Sequence, residues 1–220
     1  MTTLFLSEKK CYVCGSNNRY PLIDLTLKIT GSRDLDGRPS HIQRSLVYLW
    51  IQHCTLCNYC GPEISKGDPG DIEIVKSEEY LSLLNDPKFP ETASAFICHS
   101  FIMEKKGKYS DSGWAQLCAA WICDDNNYQG SIECRMNAYR LFTKTIESGS
   151  EFGDSRIKET IYLIDILRRT LQFDKALELC MREIANEQPD HILDLLEFEI
   201  SLIQKKDAAC HNKNESEEFY

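Results

Sequence analysis

The chain has 220 residues, of which 42% are hydrophobic, 10% aromatic and 27% charged, a composition that excludes a fibrous or wholly disordered protein. Its formal net charge is −9, because 34 acidic side chains outnumber 25 lysines and arginines. Binding to phosphates relies mainly on lysine and arginine, so this charge argues against nucleic acid as the main partner and against attraction to an anionic membrane surface.

The N-terminus, the lack of long apolar segments and the cysteines together indicate where in the cell the chain is expected. The N-terminus lacks a basic start followed by an apolar stretch, and no later segment approaches the roughly 18 apolar residues of a membrane helix. We therefore expect a cytoplasmic protein without a membrane segment. The 11 cysteines are an odd number, and a reducing compartment disfavours disulfides. Each cysteine is thus expected to be a metal ligand, a reactive thiol or a small buried side chain.

The first cysteines along the chain form a C-x-x-C pair and a later C-x-x-C-x-x-C run. Two residues between thiols let one tight turn present both sulfurs to one ion, and two such turns supply the four thiolates of a tetrahedral structural zinc site. Cys11 and Cys14 form the first turn, and Gly15 follows them as the residue that tolerates a left-handed backbone. The pattern predicts structural zinc, with a redox pair and unliganded thiols as the alternatives.

The second turn has two candidate pairings. Cys54 and Cys57 would place Asn58 at the left-handed position. Cys57 and Cys60 would place Gly61 there, which backbone chemistry slightly prefers. The residues alone leave both pairings open.

Between the two turns, the pattern predicts two strands joined by a turn. Residues 20–29 alternate apolar and polar side chains, and residues 45–52 are rich in branched and aromatic ones. Residues 31–39 carry Gly and Pro at turn positions. Residues 8–75 are therefore predicted to be a small β zinc-ribbon module, to whose folding zinc would contribute on the order of 10 kcal/mol. His53 is a candidate substitute ligand but is expected to face solvent at a strand end.

From about residue 76 the apolar period changes to three and four residues, which is typical of helices. The predicted helices begin after Pro90, after Ser110, at Ser131, after Asp154, at Phe173 and at Asp190. They are expected to be antiparallel and joined by short loops. Residues 205–220 lose this period, which predicts a disordered tail.

One helix pair matches a known repeat. Residues 157–190 have the length of a tetratricopeptide repeat, about 34 residues. Ala176 is the small residue that lets two helices approach closely, Leu163 fits an apolar position, and Pro189 lies one residue beyond the expected terminal proline. Residues 76–204 are therefore predicted to be a tetratricopeptide-like domain, with a plain helical bundle as the alternative. Such stacks usually leave a groove for a peptide or another protein.

Several large or thiol side chains in the helical part are expected to belong to its core rather than to a site. They are Trp114, Trp121, Tyr139, Cys118, Cys123, Cys134 and Cys180.

Both halves together resemble an uncharacterised bacterial family, known as a domain of unknown function. In that family a C-x-x-C knuckle, an Arg-Asp-x-Asp segment and a second C-x-x-C followed by Gly-Tyr precede tetratricopeptide-like helices. The matching residues are Cys11, Cys14, Arg33, Asp34, Asp36, Cys54, Cys57 and Tyr59. The resemblance covers most of residues 8–204, although Asn58 stands where the family has Gly and Cys60 where it usually has a small residue. It implies Cys11, Cys14, Cys54 and Cys57 as the metal ligands, with Cys60 as an alternative ligand, and it implies no activity.

The remaining polar candidates are Arg33, Asp34 and Asp36. A turn with a local ion pair is the simpler expectation, and a charged contact surface at the tip of the ribbon is the functional alternative. The spacing of this segment does not match an EF-hand calcium loop, because its glycine comes fourth and a serine stands twelfth.

Together these patterns predict a mainly α protein, with a small β zinc-ribbon module followed by an antiparallel α-helical tetratricopeptide-like domain. The predicted function is a protein–protein interaction adaptor, with structural Zn²⁺ and a protein or peptide held in the helical groove. The alternatives are a zinc-ribbon regulator that binds nucleic acid and a thiol-dependent enzyme. No catalytic residue is singled out, since the sequence contains no catalytic triad order, phosphate loop, H-E-x-x-H motif or dinucleotide fingerprint.

Overall fold

The computed structural model describes residues 3–24 and 31–217, and this part of the chain is mainly helical with a small antiparallel β part near its N-terminus. Two sheets of two strands each are described. They consist of β1 (Thr3–Lys10) with β2 (Asn17–Asp24), and β3 (Gln52–His53) with β4 (Cys60–Gly61).

The first hairpin differs from the predicted ribbon. β2 covers the first part of the predicted strand 20–29, whose last residues lie outside the described residues. Its partner β1 precedes the first C-x-x-C pair, with Lys10 opposite Asn17 next to the turn. The first knuckle is therefore the tip of a hairpin.

The predicted strand at residues 45–52 is wrong over most of its length. The chain there follows α1 (His41–Arg44) with a 3₁₀ turn, Val47–Trp50, and only its last residue enters β3. The buried apolar residues of this stretch are Val47 and Ile51, four positions apart, which is a helical spacing. Branched and aromatic residues suggested a strand, but their burial follows this helical spacing.

The helices after residue 70 pack mainly against their neighbours in sequence. They are α2 (Asp71–Val75), α3 (Glu78–Leu84), α4 (Glu91–Lys105), α5 (Tyr109–Asp125), α6 (Ser131–Glu147), α7 (Arg156–Arg169), α8 (Phe173–Ile184), α9 (Asp190–Gln204) and α10 (Asn214–Glu217). Two predicted starts differ slightly: Ser110 lies inside the first turn of α5, and Ser155 rather than Asp154 precedes α7.

One apolar core joins the thiol-bearing part to the helices. It extends from Cys11 and Val47 through α4, α5 and α6 to Ile166. A second core lies between α7, α8 and α9 and contains Ala176. The side chains of Trp121, Cys118, Cys123, Cys134 and Cys180 are buried, as expected, and Trp114 packs partly buried against the first core.

The C-terminal segment, residues 205–217, lies along an early loop. Leu35 N–H donates to the carbonyl oxygen of His211 (3.0 Å), and Lys213 N–H donates to that of Arg33 (3.1 Å). Leu35 is fully buried against Phe198 of α9. A disordered tail is expected from composition for residues 205–220, of which the last three lie outside the described residues. Residues 205–217 differ from that expectation, because their contacts are with residues more than a hundred positions away and leave no local pattern.

Candidate metal centre

Four thiols converge where the two hairpin turns meet. The Sγ atoms of Cys11, Cys14, Cys54 and Cys57 all lie within 4.8 Å of one another. The Sγ–Sγ distance is 3.6 Å for Cys11 and Cys57, and 3.6 Å for Cys14 and Cys54. A tetrahedral ion with metal–sulfur bonds of about 2.3 Å requires sulfur–sulfur separations of about 3.8 Å. The four thiols therefore fit one tetrahedral metal ion.

The first knuckle is the turn between β1 and β2. Cys11 N–H donates to the carbonyl oxygen of Ser16 (2.8 Å), and Gly15 N–H donates to that of Cys11 (2.9 Å). Gly15 adopts φ +73°, the left-handed conformation expected at this position. Tyr12 N–H also donates to the carbonyl oxygen of Ile64 (3.0 Å), which ties this turn to the chain after the second knuckle.

The second knuckle repeats these bonds at the same spacing. Cys54 N–H donates to the carbonyl oxygen of Tyr59 (2.9 Å), and Asn58 N–H donates to that of Cys54 (2.7 Å). Asn58 adopts φ +67°. Asparagine is among the few residues other than glycine that tolerate this region, so the turn forms on Cys54 and Cys57.

Cys60 lies outside the four-thiol group. Its buried thiol donates to the carbonyl oxygen of Asn58 (3.4 Å), and Gly61 after it lies in strand β4 rather than in a left-handed turn. A hydrogen bond with the Cys60 thiol and burial together raise the pKa of Cys98. The slight backbone preference for a Cys57–Cys60 turn is therefore not realised, because Gly61 is needed as an extended residue.

His53 also stays away from the thiols. Its two ring nitrogens are buried and have no hydrogen-bond partner among the described residues. A carboxylate oxygen of Glu91 lies 3.9 Å from Nδ1. His53 precedes the second knuckle on β3, but its ring nitrogens do not face solvent as expected.

The surroundings of the four thiols favour the thiolate form of Cys54 and disfavour that of Cys11 and of Cys57. Burial alone would raise the pKa of the Cys54 thiol, but hydrogen bonds from Ser16 Oγ and from the backbone N–H groups of Cys57 and Leu56 lower it to about 6. Burial raises the pKa of Cys11 and of Cys57. Ionising all four thiols together would therefore require a bound cation, and metal binding would release protons.

The structure places Asp36 in the protein interior. Its carboxylate accepts hydrogen bonds from Trp121 Nε1 (2.8 Å), Arg169 Nη1 (3.0 Å) and Arg135 Nη2 (3.4 Å). Burial opposes its ionisation, but the two guanidinium groups hold the pKa of Asp36 below its usual value. Asp124 contacts the same two arginines. We call Asp36, Asp124, Arg135 and Arg169 the Asp36 cluster.

The expected turn at Asp34 is present, since Gly37 N–H donates to the Asp34 carbonyl oxygen (2.9 Å). Asp34 forms an ion pair with Arg44, and its carboxylate also accepts the Cys210 thiol (2.9 Å). Arg33 Nη1 reaches the Gly37 carbonyl oxygen (3.5 Å). Because Asp34 and Asp36 are both buried, their carboxylates do not form a charged contact surface, whereas Arg33 is exposed. No local signal in the sequence links Asp36 to arginines on α6 and α7.

Comparisons with protein families, with curated proteins and with solved structures found no match to this chain. The family resemblance therefore depends on the quoted residues alone. Within the ranges that the structure describes, no helix is both long and apolar enough to cross a bilayer.

Proposed function

We propose that this chain is a zinc-binding protein that acts as a protein–protein interaction adaptor. Cys11, Cys14, Cys54 and Cys57 would hold Zn²⁺ in a structural role. The supporting observation is the convergence of four thiols on two turns with the same hydrogen bonds. Four thiolates complete a tetrahedral shell and leave no position for water or substrate, which is typical of structural rather than catalytic zinc.

The bound ion would supply folding free energy, on the order of 10 kcal/mol for such sites at neutral pH. Thiolate ligands favour soft metals, and zinc is the commonest ion in a tetrahedral set of four cysteines. A reducing cytoplasmic location would keep the thiols available for it. The zinc-ribbon module would comprise residues 8–75.

The interaction role is proposed from the helical part. Residues 76–204 would form a tetratricopeptide-like domain, in which Ala176 is fully buried in the core that α8 shares with α7 and α9. A small side chain there allows the close approach that such repeats need. Helix pairs stacked in this way present a groove to a protein or peptide.

The structure gives less support to the two alternative functions. The pKa is lowered for the thiols of Cys54 and Cys123, and both are fully buried, so a substrate could not reach either as a nucleophile. Lys9 beside the first knuckle is paired with Glu63 (2.6 Å), and the chain carries a net charge of −9. Both observations weaken the case for phosphate binding by the ribbon.

Metal analysis of the purified full-length chain tests this proposal. We expect one zinc per chain, lost together with the hairpin when Cys11 and Cys14 are replaced by serine. Two matched controls, Cys60→Ser and Cys210→Ser, should retain zinc, because both thiols lie outside the group of four. A folded chain without metal, a chain that holds iron, or loss of zinc in Cys60→Ser but not in Cys54→Ser would contradict the proposal.

A further inference from the structure

The register of the hairpin formed by β1 and β2 shows which backbone groups of β1 point outward. Cys11 N–H donates to the carbonyl oxygen of Ser16 (2.8 Å), and this pair continues the register in which Lys10 stands opposite Asn17. Hydrogen-bonded pairs alternate along an antiparallel ladder, so the odd-numbered residues of β1 bond to β2. The backbone N–H and C=O groups of the even-numbered residues therefore point away from β2.

The outer edge of β2 is protected by a proline. Pro21 stands opposite Leu6, in a pair that the alternation leaves without hydrogen bonds between its members. The N–H that proline lacks would therefore lie on the outer edge of β2, where its absence leaves the hairpin intact. Proline on an edge disfavours pairing with a further strand. This leaves the outer edge of β1 as the one that another strand could join.

We call the outward backbone groups of Leu4, Leu6 and Glu8 the open edge. Among the described residues, none of these three forms a backbone hydrogen bond outside the hairpin. The open edge ends near the first knuckle, where Tyr12 N–H donates to the carbonyl oxygen of Ile64 (3.0 Å). A row of unpaired N–H and C=O groups is a template for pairing with another strand.

Two large apolar side chains of β1 are exposed, one on each face of the hairpin. Phe5 is 47% exposed and Leu6 is 64% exposed. They point to opposite faces because successive side chains of a strand alternate. A hairpin of two strands is only marginally stable by itself, and further strands stabilise it. A strand added at the open edge would cover apolar surface on both faces.

We propose that two copies of this chain pair antiparallel through β1, with the two-fold axis at Leu6, and form a four-stranded sheet. Leu6 then lies opposite Leu6 of the second copy, and Leu4 lies opposite Glu8. The open edge is satisfied by its own copy, because a two-fold interface exchanges each contact. The two Phe5 side chains become diagonal neighbours on the other face, within reach of aromatic rings. This inference does not depend on the adaptor role.

The charges of β1 favour a second copy in this register. Residues 3–7 are uncharged, and the three charged residues of the strand follow them. With the proposed axis, Glu8 faces Leu4 of the second copy, and no two like charges stand opposite each other. An axis at Glu8 would oppose two carboxylates, and an axis at Lys9 would oppose two ammonium groups. Like charges directly opposite destabilise cross-strand pairs.

Sedimentation equilibrium of the full-length, metal-bound chain tests the dimer. One strand pair buries less surface than a standard interface, so we expect a dissociation constant of about 20 μM. Leu6→Lys and Leu6→Glu each place two like charges at the axis, and each should weaken the dimer at least about tenfold. An equimolar mixture of the two variants should restore it, because residue 6 faces its own copy. The matched control is Met181→Lys, which changes an exposed residue on α8 and should dimerise as the native chain does.

Amide hydrogen exchange, followed by NMR, tests the open edge itself. The amides of Leu6 and Glu8 should exchange about fivefold more slowly at about 1,000 μM than at about 20 μM chain, because only the dimer protects them. The amides of Ser7 and Lys9 donate to β2 within each copy and should exchange slowly at both concentrations. If the Leu6 variants do not fold by circular dichroism, this comparison on the native chain decides the question.

A chain that is monomeric at about 1 mM would overturn the inference. So would a dimer that survives both Leu6 variants, or a mixture of the variants that stays monomeric. Protection of the Leu6 and Glu8 amides only on addition of the extended peptide acetyl-Thr-Val-Thr-Val-Thr-amide would assign the open edge to a different partner and would also overturn it.

Discussion

The four-thiol centre and the Asp36 cluster both join distant parts of the chain, yet only the first is visible in the sequence. Cys11 and Cys57 are 46 positions apart, and Asp36 and Arg169 are 133 apart. The thiols stand in a repeated local motif, C-x-x-C followed by a residue that tolerates a left-handed backbone. The cluster consists of ordinary charged residues without a spacing of their own. Chemistry built on a turn can be predicted from sequence, whereas chemistry built by packing cannot.

The two regions also differ in what they contribute. Metal–thiolate bonds would supply folding free energy directly. Buried ion pairs lose hydration, and their net contribution to stability is often near zero. What the Asp36 cluster does in the structure is join the loop that carries Asp36 to Arg135 on α6 and Arg169 on α7. Leu35, beside Asp36, is fully buried against α9.

The largest expected effect outside the metal ligands comes from Asp36→Asn. This change leaves Arg135 and Arg169 buried with only Asp124 to compensate them. Removing one partner of a buried pair costs about 3–5 kcal/mol, so we expect the free energy of unfolding in urea to fall by that amount. Zinc content should not change, because Asp36 does not contact the knuckles.

The control is Asp154→Asn, which removes an exposed ion pair with Lys158 (3.1 Å) one helical turn away. Such pairs contribute about 0.5 kcal/mol or less. If the two variants unfold at the same urea concentration, the Asp36 cluster does not hold the loop. If Asp36→Asn also loses zinc, the two regions are not independent.

Most helices could be predicted because their signal is local. The helices predicted to begin after Pro90, at Ser131, at Phe173 and at Asp190 do begin there, as α4, α6, α8 and α9. Both knuckles followed from spacing, although the choice of Cys54 and Cys57 needed the family resemblance. Residues 45–52 and the C-terminal segment depart from the expectation for one reason: they take their conformation from partners elsewhere in the chain. The interior contacts of Asp36, which the sequence did not signal, have the same origin. Composition and period carry no information about such partners.

A second buried charge group offers a pH-dependent test. Arg168 donates to Glu199 Oε2 (2.8 Å), pairs with Asp165, and reaches the carbonyl oxygen of Asp207 (2.7 Å) in the C-terminal segment. Burial and the neighbouring Asp165 raise the pKa of Glu199 to about 8, against the attraction of Arg168. The groups that face Glu199 also include Cys180 and, at longer range, Asp36.

The direction of this pH dependence follows from which state of the chain, folded or unfolded, binds the proton of Glu199. Between the unfolded pKa of a glutamate, about 4.3, and the folded value, the native chain holds a proton that the unfolded chain has lost. The contribution of Glu199 to stability should therefore fall as pH rises from about 5 to about 8, by up to about 1.4 kcal/mol per pH unit, and level off above. Glu199→Gln should flatten this dependence in urea unfolding at several pH values. Parallel curves for the variant and the native chain would contradict the assignment to Glu199.

The smallest expected effect tests the equivalence of the two knuckles. Gly15 and Asn58 occupy the same position in the repeated hydrogen-bond pattern, at φ +73° and +67°. Glycine adopts this conformation without a steric penalty, whereas a residue with a Cβ atom does so at some cost, least of all for asparagine. Asn58→Gly should therefore stabilise the metal-bound chain by about 0.5 kcal/mol, and Gly15→Asn should destabilise it by a similar amount.

Competition with a zinc chelator would show these changes as about twofold shifts in opposite directions in apparent zinc affinity. The backbone carbonyl of Asn58, which accepts the Tyr80 hydroxyl (2.8 Å), is retained in Asn58→Gly, so the bond to α3 does not confound the comparison. Equal and opposite shifts would mean that the two knuckles differ only in the free-energy cost of the left-handed backbone at this position. Weaker zinc binding by Asn58→Gly would instead give the asparagine side chain a role of its own, and the second knuckle would then be more than a copy of the first.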